Sequence, residues 1–102
     1  MTIDWGAVGG FAWDSGNRAK SEVKHGVTAE EAEQLFARPP LLMRPDPKHS
    51  VAEPRYYLLG ETSAGRRLIA AFTIRAGRVR VISVRPMNRR EVAVYEAEKA
   101  KA

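Results

Sequence analysis

The stretch LIAAFTIR-AG-RVRVISVR, residues 68–85, decides the fold of this chain. Two apolar runs of strand length stand on either side of an Ala-Gly turn, which predicts a β-hairpin. Arginine recurs through the second run and ends both runs, at Arg75 and Arg85. Because strands are rigid, guanidinium groups fixed on a sheet form a cradle for phosphate rather than a solvated charge cloud. The hairpin therefore predicts a sheet and a phosphate-bearing ligand together.

The register of this hairpin has two solutions. If the turn contains two residues, Arg75 pairs with Arg78 and shares a face with Arg80. If it is a three-residue loop with a left-handed glycine, Arg75 shares a face with Ser83 and Arg85. A slip of one residue swaps the arginines that cluster, and both registers stay open from the sequence.

Signals on either side of the hairpin predict an α+β domain. Thr28 with Glu31, and Asn88 with Glu91, have the spacing of helix N-terminal capping boxes. In chain order, the predicted elements are a helix from Asp14 or Ser15 to about Lys24 with Gly26 beyond it, a helix that Pro39 and Pro40 stop, strands at 41–44, 55–61, 68–75 and 78–85, and a last helix toward Lys99. The predicted architecture is thus two helices, an antiparallel meander and one helix.

The length of 102 residues fits a single domain. We predict residues 11–102 as that domain and residues 1–10 as an N-terminal extension, because Gly6, Gly9 and Gly10 argue against regular structure. The absence of cysteine excludes disulfides, thiol chemistry and Cys-ligated zinc. No run of about 18 apolar residues is present, and no signal-peptide pattern, so a soluble cytoplasmic protein without a membrane segment is expected.

The charge balance favours a polyanionic partner. Lys and Arg total 17 against 12 Asp and Glu, which gives a formal charge of +5. Such a balance is typical of proteins that bind nucleic acid or an acidic surface. The arginines concentrate in the last third of the chain, at positions 66, 67, 75, 78, 80, 85, 89 and 90. Arginine suits bidentate contacts to phosphate, so this third is the predicted contact region.

An ordered set of short motifs resembles the BrnT toxins, small proteins of the RelE-like group. The resemblance extends roughly from Phe11 to Glu96. The matching residues are Trp13-Asp14, Lys24-His25-Gly26-Val27, Glu30-Glu31-Ala32, Phe36, Glu53 with Arg55, Gly60, Thr73 with Arg75, Arg80-Val81-Ile82-Ser83-Val84-Arg85, and Glu91 with Tyr95. Two positions depart from the pattern, since many members carry a Lys where this chain has Asn17 and an Asn where it has Ser21.

The resemblance implies a RelE-like fold and a ribonuclease toxin of a bacterial type II toxin–antitoxin pair, which inhibits growth unless its antitoxin binds it. It also implies the partner, a BrnA-like antitoxin with a ribbon-helix-helix DNA-binding domain. The complex of the two would silence the nuclease and repress its own operon. Operator DNA is then a partner only through the complex, while RNA is the substrate.

The arginines are the first candidates for the chemistry. Cleavage of RNA without a metal requires removal of the 2′-hydroxyl proton, protonation of the leaving 5′-oxygen and stabilisation of charge at phosphorus. Arg75 and Arg85 fit the third task because each closes a strand, where a side chain emerges at the rim of a sheet. The remaining candidates for RNA contact are Arg55, Arg80, Thr73 and Ser83.

Three further catalytic candidates each have a second interpretation. His25 either transfers protons at neutral pH or caps the first helix beside Gly26. Lys24 either contacts phosphate or favours the helix C-terminus by its charge. Glu53 either acts as a base or pairs with an arginine and orients it. The other histidine, His49, is assigned to an exposed loop.

No cofactor or metal is expected from the sequence. The two histidines and the carboxylates lack metal-ligand spacing, and Gly9-Gly10 lacks the residues of a phosphate-binding loop. Two rival functions remain. One is a basic RNA-binding module without chemistry, and the other is a degenerate toxin that retains only antitoxin binding.

Overall fold

The computed structural model describes residues 3–101, which contain three α-helices and one four-stranded sheet. The elements are α1 (Ser15–His25), α2 (Ala29–Ala37), β1 (Leu42–Pro45), β2 (Tyr56–Glu61), β3 (Arg67–Arg75), β4 (Arg78–Pro86) and α3 (Arg89–Lys101). The predicted α+β class and element order are confirmed, whereas membership of the RelE-like group stays a prediction. Of the helices in this range, none has the length and apolar character that a bilayer span requires.

Local capping fixes the helices where the sequence predicts them. Asp14 accepts a hydrogen bond from the Asn17 backbone N–H, and the Asn17 side chain accepts one from the Asp14 N–H. Helix α1 then ends at Gly26, whose φ of 64° is left-handed. Thr28 and Glu31 form the same reciprocal pair at the start of α2. These short-range bonds orient α1, and α1 forms one wall of the site described below.

The sheet is an antiparallel meander in the order β1-β2-β3-β4, with apolar packing on both faces. The main core lies between one face and α2, and its buried members are Val27, Ala32, Leu35, Tyr56, Leu58, Leu68, Ala70, Phe72, Val79, Val81 and Val84. On the opposite face, Tyr95 of α3 packs with Leu59 and Ile69. The apolar contacts of α3 therefore lie at the end of this face away from the hairpin turn.

The hairpin has the register with a two-residue turn. Its turn consists of Ala76 and Gly77, with φ angles of 52° and 73°. Positive φ at both central positions is the type I′ geometry, whose twist matches that of the flanking strands. Arg75 consequently pairs with Arg78, and Thr73 pairs with Arg80.

A bulge in β4 brings the second set of arginines onto the same face. The pairing shifts between Ala71 and Phe72, which leaves Ile82 of β4 as an extra residue. Because side chains alternate along a strand, one extra residue moves every later side chain to the other face. Arg85 therefore lies on the same face as Arg80. The two sets that the sequence presented as alternatives share one face of the sheet.

The segment predicted as an irregular extension packs against the domain in its described part. Residues Trp5–Ala7 form a 3₁₀ turn, and the Gly9 N–H donates to the Gly77 carbonyl at 2.8 Å. The Val79 N–H donates to the Gly10 carbonyl at 2.9 Å. Side chains of Ile3, Trp5 and Val8 pack on the main core. Met1 and Thr2 of the predicted extension, and Ala102 of the predicted domain, lie outside the described residues.

Candidate active site

A cleft of about 400 Å³ lies between the first turns of α1 and the hairpin. We call it the arginine cleft, and its lining residues are Asp14, Gly16, Asn17, Lys20, Arg55, Arg75, Arg80, Val81 and Ile82. Its four cations come from separate parts of the chain: Lys20 from α1, Arg55 from the residue before β2, Arg75 from the end of β3 and Arg80 from β4. Three residues predicted from the sequence, Arg55, Arg75 and Arg80, thus meet in one cleft.

Two of the four cations carry a carboxylate partner. The Arg75 guanidinium pairs with Glu53, and Arg80 Nη2 lies 2.9 Å from Asp14 Oδ2. For the side chains of Arg55 and Lys20, no hydrogen bond or ion pair is found within residues 3–101. Four cations facing two carboxylates leave a formal excess of two positive charges. The positive charge of the cleft is therefore only half neutralised by the protein, which favours a negatively charged ligand.

Both carboxylates stay ionised at neutral pH. The hydrogen bond from Arg75 lowers the pKa of Glu53, and the charges of Arg55 and Arg80 add to the effect. The backbone N–H of Asn17 lowers the pKa of Asp14, followed by the hydrogen bond from Arg80. A carboxylate with a lowered pKa is a weak base, so these geometries favour orientation of the arginines. Of the two interpretations of Glu53, the ion pair is the one present in the structure.

Asn17 and Ser21 attach α1 to the outer edge of β4, beyond the point where the N-terminal segment pairs with Val79. The Asn17 side-chain amide donates to the Ala12 and Val81 carbonyls, each at 3.1 Å. The Val84 N–H donates to Ser21 Oγ at 2.9 Å. These bonds satisfy edge-strand groups on either side of the bulge, where the sheet offers no partner. The two positions that depart from the BrnT pattern thus fix the helical wall of the arginine cleft.

Arg85 lies on the same face but outside the lining of the cleft. Its two terminal nitrogens each approach one oxygen of Glu91 at 2.8 Å, a bidentate pair. Glu91 also accepts a hydrogen bond from the Asn88 N–H at the start of α3. The hydrogen bond from Arg85 is the main reason why the pKa of Glu91 is lowered. The charge of Arg85 is therefore compensated within the protein, in contrast to that of Arg55.

The remaining predicted residues have more distant or internal positions. Lys24 and His25 form the last turn of α1 and do not line the cleft. Thr73 is fully buried, and its hydroxyl donates to the Pro54 carbonyl at 2.6 Å. Ser83 is half-buried beyond the bulge on the face of the arginines.

Sequence reasoning missed two members of the cleft. In the sequence, Asp14 is a candidate helix start and part of the Trp13-Asp14 match, and its pairing with Arg80 across the cleft is visible only in the structure. Lys20 was not singled out. A helical stripe was available as a signal, because residues 16 and 20 are four apart and lie on one face of α1. Within residues 3–101, no three His, Asp or Glu side chains converge as a metal site would require.

Comparison with known proteins identifies a family and a related fold. The family model described as ribonuclease toxin, BrnT, of type II toxin–antitoxin system matches residues 13–91. The crystal structure of the Brucella abortus ribonuclease toxin BrnT matches with a TM-score of 0.56 at 19% sequence identity. The match covers 78% of this chain and 97% of that chain, and at this identity it shows the fold alone. Among curated proteins, no sequence matches the chain.

Proposed function

The chain belongs to the family of BrnT ribonuclease toxins of type II toxin–antitoxin systems, and on that premise we propose that the arginine cleft cleaves RNA without a metal ion. The family makes RNA the substrate and an antitoxin the partner. In a metal-free reaction, the 2′-hydroxyl oxygen attacks the neighbouring phosphorus and the 5′-oxygen leaves. Negative charge accumulates on the non-bridging phosphoryl oxygens, so cationic donors aimed at them lower the barrier.

The convergence of Lys20, Arg55, Arg75 and Arg80 around one cleft carries this proposal. Each cation comes from a different element, so only the folded chain assembles the set. Guanidinium groups match phosphate geometry and stay protonated at neutral pH. Cationic side chains already supply the charge that a metal ion would supply at the phosphate.

We assign different tasks to the paired and unpaired cations. Glu53 and Asp14 hold Arg75 and Arg80 in place, as preorganised donors require. Arg55 has no such partner among the described residues, and neither does Lys20. Their charge is free to attract the phosphate. The paired arginines thus orient the scissile group, and the unpaired cations neutralise it.

Arg85 extends the cationic face beyond the cleft. Because the bulge places it on the same face as Arg80, a strand of RNA lying on this face passes both. We assign Arg85, with Ser83 beside it, to a neighbouring phosphate. On α1, Lys24 stands one helical turn beyond Lys20 and extends the same stripe.

A cleavage assay in the presence of a chelator tests the proposal. Purified protein, freed of antitoxin, is incubated with bulk RNA and EDTA, beside Arg75→Ala and Arg90→Ala. Arg90 is an exposed arginine of α3 outside the cleft, so its variant loses the same charge. We expect wild type and Arg90→Ala to cut RNA and Arg75→Ala to lose roughly 100-fold or more in rate, the usual effect of removing one charge-stabilising donor.

The cleavage assay, run beside a gel-shift measurement of RNA binding, separates the two rival functions. RNA that is bound but intact with the wild-type protein, in both EDTA and magnesium, would favour a binding module over a nuclease. Intact RNA without binding would favour a degenerate toxin that retains antitoxin contact alone. Equal cleavage rates for Arg75→Ala and wild type would contradict the assignment of the arginine cleft as the catalytic site.

We further propose that the antitoxin is BrnA-like and carries a ribbon-helix-helix domain, as the sequence resemblance implies. On this view, expression of the chain alone arrests growth, and co-expression with such an antitoxin restores it. Copurification of the pair, with operator DNA bound only by the complex, is the expected result. Growth of cells that express soluble, folded toxin alone at the normal rate would contradict this part of the proposal.

A further inference from the structure

The loop between β1 and β2 holds a histidine against a buried carboxylate. His49 ends a 3₁₀ turn, Pro47–His49, and its Nδ1 lies 2.9 Å from Asp46 Oδ2. Asp46 is only 7% exposed, whereas half of the His49 side chain is exposed. An ionised carboxylate only accepts hydrogen bonds, so Nδ1 carries the hydrogen. Nε2 has no partner within residues 3–101, and it is the atom left for a substrate.

The turn that carries His49 is tied to a residue of the arginine cleft. The Asp46 N–H donates to the Arg55 carbonyl at 2.9 Å. Ser50 Oγ accepts from the Arg55 N–H at 2.9 Å and donates to the Asp46 carbonyl at 2.7 Å. Two of these hydrogen bonds join the histidine-bearing turn to the backbone of Arg55, whose side chain lines the cleft. The sheet beside it carries Tyr57, whose ring lies on the face of the arginines because Tyr57 follows Arg55 by two residues.

Its hydrogen-bond partners hold Asp46 in the ionised form. Burial opposes the ionisation of Asp46, but the hydrogen bonds from His49 and Tyr57 and the charge of His49 together lower the pKa of the carboxyl. The Tyr57 hydroxyl lies against the same carboxylate. The pKa of Tyr57 is raised mainly by burial and, to a smaller extent, by the charge of Asp46. Arg85 of β4 and Glu91 of α3 stand beyond Tyr57 as a compensated pair. A carboxylate bonded to Nδ1 fixes the orientation and tautomer of the imidazole ring, so Nε2 is the nitrogen that faces a substrate.

We propose that His49, held by Asp46, donates a proton to the 5′-oxygen that leaves during RNA cleavage, an inference that rests on the proposed function of the arginine cleft. The 2′-hydroxyl oxygen bonds to phosphorus as its proton passes to water. The bond from phosphorus to the 5′-oxygen breaks, and His49 Nε2 transfers its proton to that oxygen. The products are a 2′,3′-cyclic phosphate and a 5′-hydroxyl end, and the neutral imidazole regains a proton from water. Asp46 is the positioning residue in this step.

The two histidines of the chain differ in the features that this task needs. Neither histidine lines the arginine cleft itself. His25 closes α1, and no hydrogen bond of its ring is found among the described residues. His49 has a buried carboxylate on one nitrogen and a half-exposed ring. The loop position that made His49 unremarkable in the sequence is the position that joins it to Arg55.

A substrate with a sulfur leaving group tests the role of His49. A short RNA whose cleavage position has been mapped with the wild-type protein is made in two forms, with oxygen or sulfur as the bridging 5′ atom. A thiolate leaves without protonation, so a missing proton donor slows only the oxygen substrate. Single-turnover rates in EDTA are compared for wild type, His49→Gln, Asp46→Asn and Val51→Ala. Val51 is a 93% exposed residue of the same loop and serves as the matched control.

On the oxygen substrate, we expect His49→Gln to lose at least about 100-fold in rate, the typical contribution of a general acid. On the sulfur substrate, the same variant should cleave near the wild-type rate. Asp46→Asn should show the same pattern with a smaller loss, and Val51→Ala should match wild type on both substrates. Thermal unfolding of His49→Gln, an exposed substitution, verifies that the variant is folded.

Two results would overturn the inference while leaving the proposed function intact. In one, His49→Gln cleaves the oxygen substrate at the wild-type rate. In the other, it loses the same factor on both substrates, which indicates a structural or binding role. Failure of the wild-type protein to cleave the oxygen substrate in EDTA would instead contradict the proposed function, and this inference with it.

Discussion

At the scale of single residues, the arginine cleft combines preorganised and uncompensated cations. Arg75 and Arg80 each have a carboxylate partner, while Arg55 and Lys20 have none among the described residues. A neutralised arginine adds little to long-range attraction but is held in one geometry. A free cation attracts phosphate but loses side-chain entropy on binding. The proposed site uses each kind for the task that suits it.

Replacement of Glu53 by Gln should separate orientation from attraction. The variant removes a negative charge from the cleft, so we expect equal or tighter binding of RNA. It also removes the group that orients Arg75, so cleavage should slow by about 10- to 100-fold. Fluorescence anisotropy with an uncleavable RNA analogue measures the affinity, and single-turnover kinetics measure the rate. An unchanged rate would show that Arg75 needs no partner for its task.

At the scale of elements, the wall formed by α1 depends on side chains that complete the edge of β4. Ser21 is buried, and its hydroxyl accepts from the Val84 N–H next to the bulge. Asn17 bonds to the Val81 carbonyl on the other side of Ile82. The helix therefore attaches where the bulge interrupts the strand, and the cleft opens beside this attachment.

Substitution of Ser21 by Ala should destabilise the protein by about 1–3 kcal/mol, since the buried Val84 N–H then lacks a partner. Ser15→Ala is the matched control, because Ser15 is exposed at the start of the same helix. Urea unfolding followed by circular dichroism measures both free energies of unfolding. Equal stability of the two variants would show that another group satisfies the strand edge.

Much of the element pattern is encoded locally and was therefore predictable. The capping pairs Thr28 with Glu31 and Asn88 with Glu91 act within one helical turn, and both are present. The bulge at Ile82 was not predictable, because it depends on the pairing of β4 with β3. The contact between Asp14 and Arg80, which are far apart in the sequence, was missed for the same reason.

In the candidate site as well, residues marked by local signals were predictable, whereas arrangements that depend on the folding of distant segments were not. Arg55, Arg75 and Arg80 were predicted from strand positions and the family resemblance, and the structure brings them together. Lys20 was missed because the sequence does not reveal which face of α1 meets the sheet. Sequence reasoning also had no means to place His49 against Asp46 beside Arg55, since that arrangement depends on how the loop folds back.

At the scale of the whole molecule, carboxylates join elements that the sheet alone does not hold. Glu31 of α2 pairs with Arg66, and Glu61 of β2 pairs with Lys99 of α3. The carboxyl groups whose pKa is lowered in the folded protein are Asp14, Glu31, Asp46, Glu53, Glu61 and Glu91. Each binds protons less readily in the folded state than in the unfolded chain.

Stability should therefore fall in acid. A carboxyl with a lowered folded pKa contributes its full stabilisation above its unfolded pKa, and the contribution is lost as the pH drops through the folded value. We expect the midpoint of thermal unfolding to stay nearly constant between about pH 7 and pH 5 and to fall between about pH 4 and pH 2. Scanning calorimetry in buffers of equal ionic strength measures this. A midpoint that rises on acidification would contradict the role of these carboxylates.

The location of bound RNA tests the proposed cleft most directly. A short RNA with a 2′-deoxy nucleotide at the mapped cleavage position cannot react, so it can be titrated into ¹⁵N-labelled protein while amide NMR signals are followed. We predict that the largest shift changes occur at Arg55, Arg75 and Arg80 and along the first turns of α1. Shift changes confined to the outer surface of α3 or to α2, with the cleft signals unmoved, would contradict the assignment of the arginine cleft as the RNA site.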